Sequence, residues 1–128
     1  MAYKVFFVED ELVTREGIRD NVDWAAHGFE FCGEAGDGEI ALPLLQNARP
    51  DILFTDIKMP FMDGLQLSKI VRERMPWVKI IILSGHDEFD YAQKAISLGI
   101  TDYLLKPVTV QKLHQVLQKL SAQLDQER

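Results

Sequence analysis

Five short apolar runs alternate with helix-patterned stretches along this chain of 128 residues, and that rhythm leaves few folds open. Tyr3–Val8 is aromatic and β-branched and reads as a strand. Leu12 to Val22 places Leu12, Ile18 and Val22 at helical spacing, and Asp23–Gly28 is a turn-rich connection. Phe29–Ala35 is a weaker strand closed by Gly36 and Gly38. Glu39–Asn47 reads as a short helix with Ile40, Leu44 and Leu45 inward, and Pro43 inside it predicts an irregular or late-starting helix. Pro50 announces the strand Asp51–Thr55, and Asp63–Met75 is a helix that Pro76 ends. Val78–Leu83 is almost continuously apolar, as a strand buried on both faces must be. Glu88–Leu98 is a helix with Gly99 at its C-cap, and Thr101–Leu105 is the fifth strand. Thr109 is placed to cap a last helix carrying Val110, Leu113, Val116, Leu117, Leu120 and Leu124, with Ser121–Arg128 as a polar end. Strand–helix alternation of this kind predicts an α/β fold, a doubly wound parallel sheet with right-handed crossovers and helices on both faces.

The length fits one domain able to bury its own core. A net charge of −6 argues against direct nucleic-acid binding, because phosphate backbones attract basic patches. Cys32 is the lone cysteine and implies no disulfide. No apolar run approaches the roughly 20 residues of a membrane span, and the N-terminus shows no signal-peptide pattern. The expectation is a cytoplasmic protein that does not touch a membrane.

Ligands of open parallel sheets bind at the carboxyl ends of the strands. After the first strand come Glu9, Asp10 and Glu11; after the third, Asp56; after the fourth, Ser84; after the fifth, Lys106. Each residue alone has a plain reading. Asp10 or Glu11 would cap a helix, Ser84 would sit in a turn, and Lys106 would lie along apolar surface. Asp56 resists such a reading, because Met59-Pro60 separates it from the next helix. All the plain readings would have to hold together on one edge of one sheet.

A chemical reading uses every one of these residues. Clustered carboxylates must protonate or bind a cation. Mg²⁺ suits them, since it takes oxygen ligands and uses one or two carboxylates together with phosphate oxygens. Asp10 and Asp56 are then direct ligands, and Glu9 acts through water. A carboxylate can accept a phosphoryl group as an aspartyl-phosphate, with Asp56 as acceptor. Lys106 would pair with one phosphoryl oxygen and the Ser84 hydroxyl with another.

The ordered set Val8-Glu9-Asp10-Glu11, Asp51 to Asp56 with Lys58-Met59-Pro60 and Met62-Asp63-Gly64, Leu83-Ser84-Gly85 and Asp102-Tyr103 with Lys106-Pro107 resembles the receiver domains of bacterial two-component response regulators. The resemblance spans nearly the whole chain. It implies a flavodoxin-like five-stranded sheet in the order 2-1-3-4-5. It also implies Asp56 as phosphoacceptor, an acidic pocket of Glu9 and Asp10, and the Lys58 carbonyl as a further Mg²⁺ ligand. Ser84 and Lys106 become the phosphoryl partners, Tyr103 the aromatic that reorients when Ser84 moves, and Lys106-Pro107 a cis peptide. The implied partners are a histidine kinase and an output domain, with transcriptional regulation as the output. The implied chemistry is the chain's own phosphorylation and dephosphorylation, not turnover of a separate substrate. Glu9 stands where the family more often has aspartate, Ser84 where threonine is frequent, and Pro43 is atypical. Val22-Asp23-Trp24 with Gly28-Phe29, and Ser84 to Ala92, resemble the subgroup that precedes AraC-type DNA-binding domains.

Lys58 and His86 stand two residues after Asp56 and Ser84 and are candidates for setting the phosphoryl lifetime, against the alternative of solvated side chains. Phe89, Tyr91 and Tyr103 read either as core or as the surface of a phosphorylation-linked homodimer. His27 and His114 read as surface residues, and Trp24 and Trp77 as packing residues. Three other classes compete. A Mg²⁺-dependent phosphatase with an aspartate nucleophile would want a second acid where Lys58 stands. A flavin or nucleotide binder would need a glycine- or hydroxyl-rich loop where Glu9-Asp10-Glu11 stands, and those acids repel phosphate. A receiver-like module that never takes phosphate would leave the full residue set unexplained.

Overall fold

The computed structural model describes residues 2–85, 93–94, 96–97 and 99–127. Five strands, β1 (Tyr3–Val8), β2 (Phe29–Ala35), β3 (Ile52–Asp56), β4 (Lys79–Ser84) and β5 (Asp102–Leu105), form one sheet in the order β2-β1-β3-β4-β5. Every pairing is parallel. The register sets the site: Val8 lies beside Thr55, Asp56 beside Leu83, and Ser84 beside Leu105. The residues that follow these positions therefore meet at one carboxyl edge. The architecture and strand order are those expected from sequence.

The helices are α1 (Leu12–Asn21), α2 (Gly38–Ala48), α3 (Gly64–Arg74) and α4 (Val110–Gln126), with a 3₁₀ turn at Ala25–His27. Alternate strand residues feed two cores. Val5, Phe7, Ile52, Phe54 and Ile81 pack with Ile18 of α1 and Leu113, Leu117 and Leu120 of α4. Phe6, Val8, Leu53, Ile80 and Ile82 pack with Leu45 of α2 and with Leu67 and Val71 of α3. β3, β4 and the second half of β1 bury both faces, which is why Val5–Val8, Ile52–Phe54 and Ile80–Leu83 are continuous apolar runs. Phe7 and Phe54 stack at 5.5 Å between ring centroids, a contact worth about 0.5–1.5 kcal/mol beyond burial.

Asp37 caps α2 by accepting from Ile40 N–H, Asp63 forms a capping box with Gln66 on α3, and Thr109 caps α4 as its sequence predicts. Gly99, with φ +83, adopts the left-handed conformation expected of it. The helix expected at Glu88–Leu98 lies largely outside the described residues, of which 93–94 and 96–97 are helical.

Four details differ from the sequence reading. The buried face of α2 is Gly38, Ala41 and Leu45, whereas Ile40 and Leu44 face solvent. That helix begins at Gly38 and runs unbroken through Pro43, so the proline neither delays nor interrupts it. Residues 121–126, read as a polar end, continue α4 and bury Leu124. Trp24 is packed inside, but Trp77 is only partly covered and lies beneath the Arg49 guanidinium, 4.4 Å from it.

Candidate functional site

β1 ends at Val8, and Glu9 N–H donates to Ala35 carbonyl, so the chain stays paired with β2 for one more residue. This holds the Glu9 side chain inward, where it is buried, while Asp10 is exposed. Asp56 is the last residue of β3 and is buried. One carboxylate oxygen from each of Glu9, Asp10 and Asp56 lies within 4.8 Å of the others. Lys106 follows β5 and reaches Asp56 Oδ1 at 2.8 Å. Ile57 N–H donates to the same oxygen at 2.9 Å. Lys106 N–H donates to Ser84 carbonyl, and Lys106-Pro107 is cis, as expected.

Three carboxyl groups against one ammonium leave negative charge in excess at a buried place. Burial, then the Asp56 charge, push the Glu9 carboxyl up to about 8; Lys106 and the Glu11 N–H oppose the rise, and Asp10 adds to it. Glu9 therefore holds its proton to higher pH than an ordinary carboxyl. A divalent cation would reverse this, because it favours the ionised form. The donors are hard oxygens with carboxylates available, which fits Mg²⁺.

This shift has a sign. Between an unfolded value of 4.5 and a folded value of about 8, the folded chain holds a proton that the unfolded chain has lost. Glu9 therefore lowers stability as pH rises through that window and adds no further change above it. Mg²⁺ added at pH 7 is expected to release close to one proton per ion, read by titration calorimetry in buffers of different ionisation enthalpy. At pH 9 the release should vanish, as it should for Glu9→Gln at pH 7. Proton release that is the same at both pH values would refute this role for Glu9.

Ser84 is fully buried at the end of β4, and its Oγ has no hydrogen-bond partner among the described residues. A buried hydroxyl left so costs about 1–3 kcal/mol, and a phosphoryl oxygen is an acceptor that would satisfy it. Tyr103 is half-buried, lies beside Ile82 in register and packs against the α2–α3 core. The Lys58 side chain is exposed in the loop after β3. His86, Phe89 and Tyr91 lie outside the described residues. Beside the acids opens a hollow of about 540 Å³, bordered by Glu9, Glu11, Thr14, Lys106, Pro107 and Val108 among others.

Gly64 belongs to this site in a way that residue patterns do not reveal. A Cβ there would stand 2.0 Å from the Asp56 carbonyl oxygen. Gly64 N–H also donates to Ile57 carbonyl at 2.7 Å, so the start of α3 is fastened to the backbone that presents Asp56. Between them, Phe61 stands in solvent at φ +69, with Met62 N–H donating to Pro60 carbonyl across it.

Residues 5–118 match the family model described as the response regulator receiver domain. Over 122 residues the chain is 38% identical to the transcriptional regulatory protein YesN of Bacillus subtilis, covering 95% of this chain and 33% of that protein. It is 36% identical over 118 residues to the transcriptional regulatory protein HptR of Staphylococcus aureus, covering 92% and 46%. The chain thus spans a third to a half of the curated relatives it matches. Among solved structures, the REC domain of the response regulator AraT from Geobacillus stearothermophilus superposes with a TM-score of 0.93 at 48% identity, covering 99% of this chain and 98% of that one. A two-component transcriptional regulator AraC from Clostridium phytofermentans gives 0.85 at 31% identity, covering 95% and 94%.

Proposed function

The chain belongs to the response regulator receiver domains, and within that family we propose that it is a phosphorylation switch in which Asp56 accepts a phosphoryl group from a histidine kinase. The observation that carries this reading is the gathering of Glu9, Asp10 and Asp56 around one point with Lys106 Nζ on Asp56.

In the proposed step a carboxylate oxygen of Asp56 attacks the phosphorus of a phosphohistidine. A P–O bond forms, the P–N bond breaks, and its electron pair stays on the donor imidazole. Lys106 leaves its pairing with the carboxylate to neutralise a phosphoryl oxygen, and the Ser84 hydroxyl donates to another. Ile57 N–H keeps the Asp56 carboxyl oriented. Mg²⁺, held by Asp10, Asp56 and the Lys58 carbonyl with Glu9 through water, would supply the remaining positive charge to the phosphoryl oxygens. Hydrolysis by water later returns the Asp56 carboxylate and inorganic phosphate. Lys58 and His86, two residues after Asp56 and Ser84, are the residues proposed to set its rate.

The readout begins at Ser84. Its movement toward the phosphoryl group would draw Tyr103 inward along β5 and change the surface that β5 presents to a partner. That partner is an output domain outside these residues, of the DNA-binding type that AraC-like relatives suggest; a second copy of the chain is the other candidate. Location in the cytoplasm follows from a kinase donor. No helix among the described residues is long and apolar enough to cross a membrane.

The test is label transfer from autophosphorylated histidine kinases. Label should pass to the chain in the presence of Mg²⁺ and be lost in Asp10→Asn. Transfer that continues at the same rate in Asp10→Asn, or without Mg²⁺, would overturn the assigned pocket.

A further inference from the structure

His27 and His114, read from sequence as surface residues, are 87 positions apart and stack ring on ring, with centroids 4.5 Å apart and planes 20° apart. Both hold the same residue. Asp23 N–H donates to His114 Nε2 at 3.1 Å. His27 Nδ1 lies 3.0 Å from the Asp23 carbonyl, which can only accept, so this nitrogen carries a proton. We propose that these two imidazoles form a proton-gated clamp, fastening the corner between α1 and β2 onto α4 at neutral pH and releasing it on acidification.

The logic lies in the tautomers. Nε2 of His114 can accept from Asp23 only while it bears no proton, so the clamped ring is neutral with its hydrogen on Nδ1. A proton on Nε2 would point at the Asp23 N–H and turn an attraction into a donor–donor clash. His27 behaves oppositely. Its bond to the Asp23 carbonyl survives protonation, so His114 alone decides whether the clamp holds. If both rings were charged they would also repel at this spacing.

The acids around the pair do not replace the lost bond. The Asp23 carboxylate faces the corner and caps Ala26 N–H through Oδ1. On α4, Asp125 borders the same hollow as His27 and accepts from Tyr3 Oη. On α1, Asp20 is paired with Arg19. Each of these carboxylates already accepts another bond, and none accepts from Asp23 N–H. The corner is otherwise kept by Trp24, whose indole packs against Phe31 at 5.3 Å and donates to Arg19 carbonyl. Val22 and Trp24 stay buried in one core with Leu117 and Leu120 of α4, so release frees the Asp23 amide at the edge of that contact and is not unfolding.

The experiment uses the whole chain. Nitrogen-15 NMR should find His114 as the Nδ1–H tautomer at pH 7.5. Amide exchange at Asp23, corrected for intrinsic rate, should lose protection on the order of tenfold at pH 5.5, the loss of one hydrogen bond with added repulsion. Amides of β3 should keep theirs. His114→Gln, which offers an acceptor that does not titrate, should remove the pH dependence. An Nε2–H tautomer at pH 7.5 would overturn the proposal. So would Asp23 protection that is equal at both pH values, or an equal loss in His114→Gln. The tautomer and exchange results on the unmodified chain decide the matter if that variant fails to fold.

Discussion

Gly64→Ala is expected to lower the stability of the domain by about 3 kcal/mol, in the upper range for single substitutions. The added Cβ would lie 2.0 Å from the Asp56 carbonyl oxygen, 2.9 Å from its carbonyl carbon and 3.0 Å from Ile57 Cα. All three are backbone atoms, so no side chain can rotate away to make room. Either α3 withdraws and gives up the Gly64 N–H bond to Ile57, or the end of β3 moves and takes Asp56 with it. In both cases the melting midpoint should fall by roughly 10 °C for a chain of this size. Gly17→Ala is the matched control. Nothing stands within 4 Å of a Cβ at Gly17, which lies inside α1. That exchange should stabilise by about 0.5–1 kcal/mol through helix propensity. Midpoints that agree for Gly64→Ala and the parent chain would show that the close approach is not real.

Lys106→Met is expected to slow phosphoryl uptake by about 10²-fold or more, the usual scale for removing one preorganised charge from a transition state. Methionine keeps most of the side-chain volume and loses the ammonium that sits 2.8 Å from Asp56 Oδ1. Two effects act in the same direction. The phosphoryl oxygens lose a counter-charge, and the acidic pocket loses the ammonium that faces both Glu9 and Asp56. Glu9 should then titrate higher still, since Lys106 is among the groups that hold its value down. Stopped-flow phosphorylation at saturating Mg²⁺ reads the first effect, and the pH dependence of proton release reads the second. A rate within threefold of the parent would remove Lys106 from the phosphoryl site; the threshold is about half the energy of a tenfold change.

How much of this was readable in sequence depended on how each residue acts. Asp56, Ser84 and Lys106 each stand at the end of an apolar run, so the run itself marks them as strand-end residues. The topology then brings those ends together. Gly64 could be quoted as part of a motif but not understood, because a forbidden Cβ is a statement about a backbone 8 residues earlier in the chain. The inward face of α2 is hidden in the sequence for a related reason. Side-chain size points to Ile40 and Leu44, yet the helix packs closely through Gly38 and Ala41 and leaves the larger pair outside. The stacked histidines had no signal at all, since no periodicity joins residues so far apart. Composition carries the net charge of −6 and little more.

The most direct test of the central claim is the intact mass of the chain after treatment with acetyl phosphate and Mg²⁺, set against the mass of Asp56→Asn treated alike. A single acid-stable, base-labile phosphoryl adduct is predicted on the parent chain, dependent on the metal and absent from the variant. An adduct that persists in Asp56→Asn would contradict the assignment of the acceptor, and the absence of any adduct on the parent chain, from acetyl phosphate or from kinases, would contradict the switch itself.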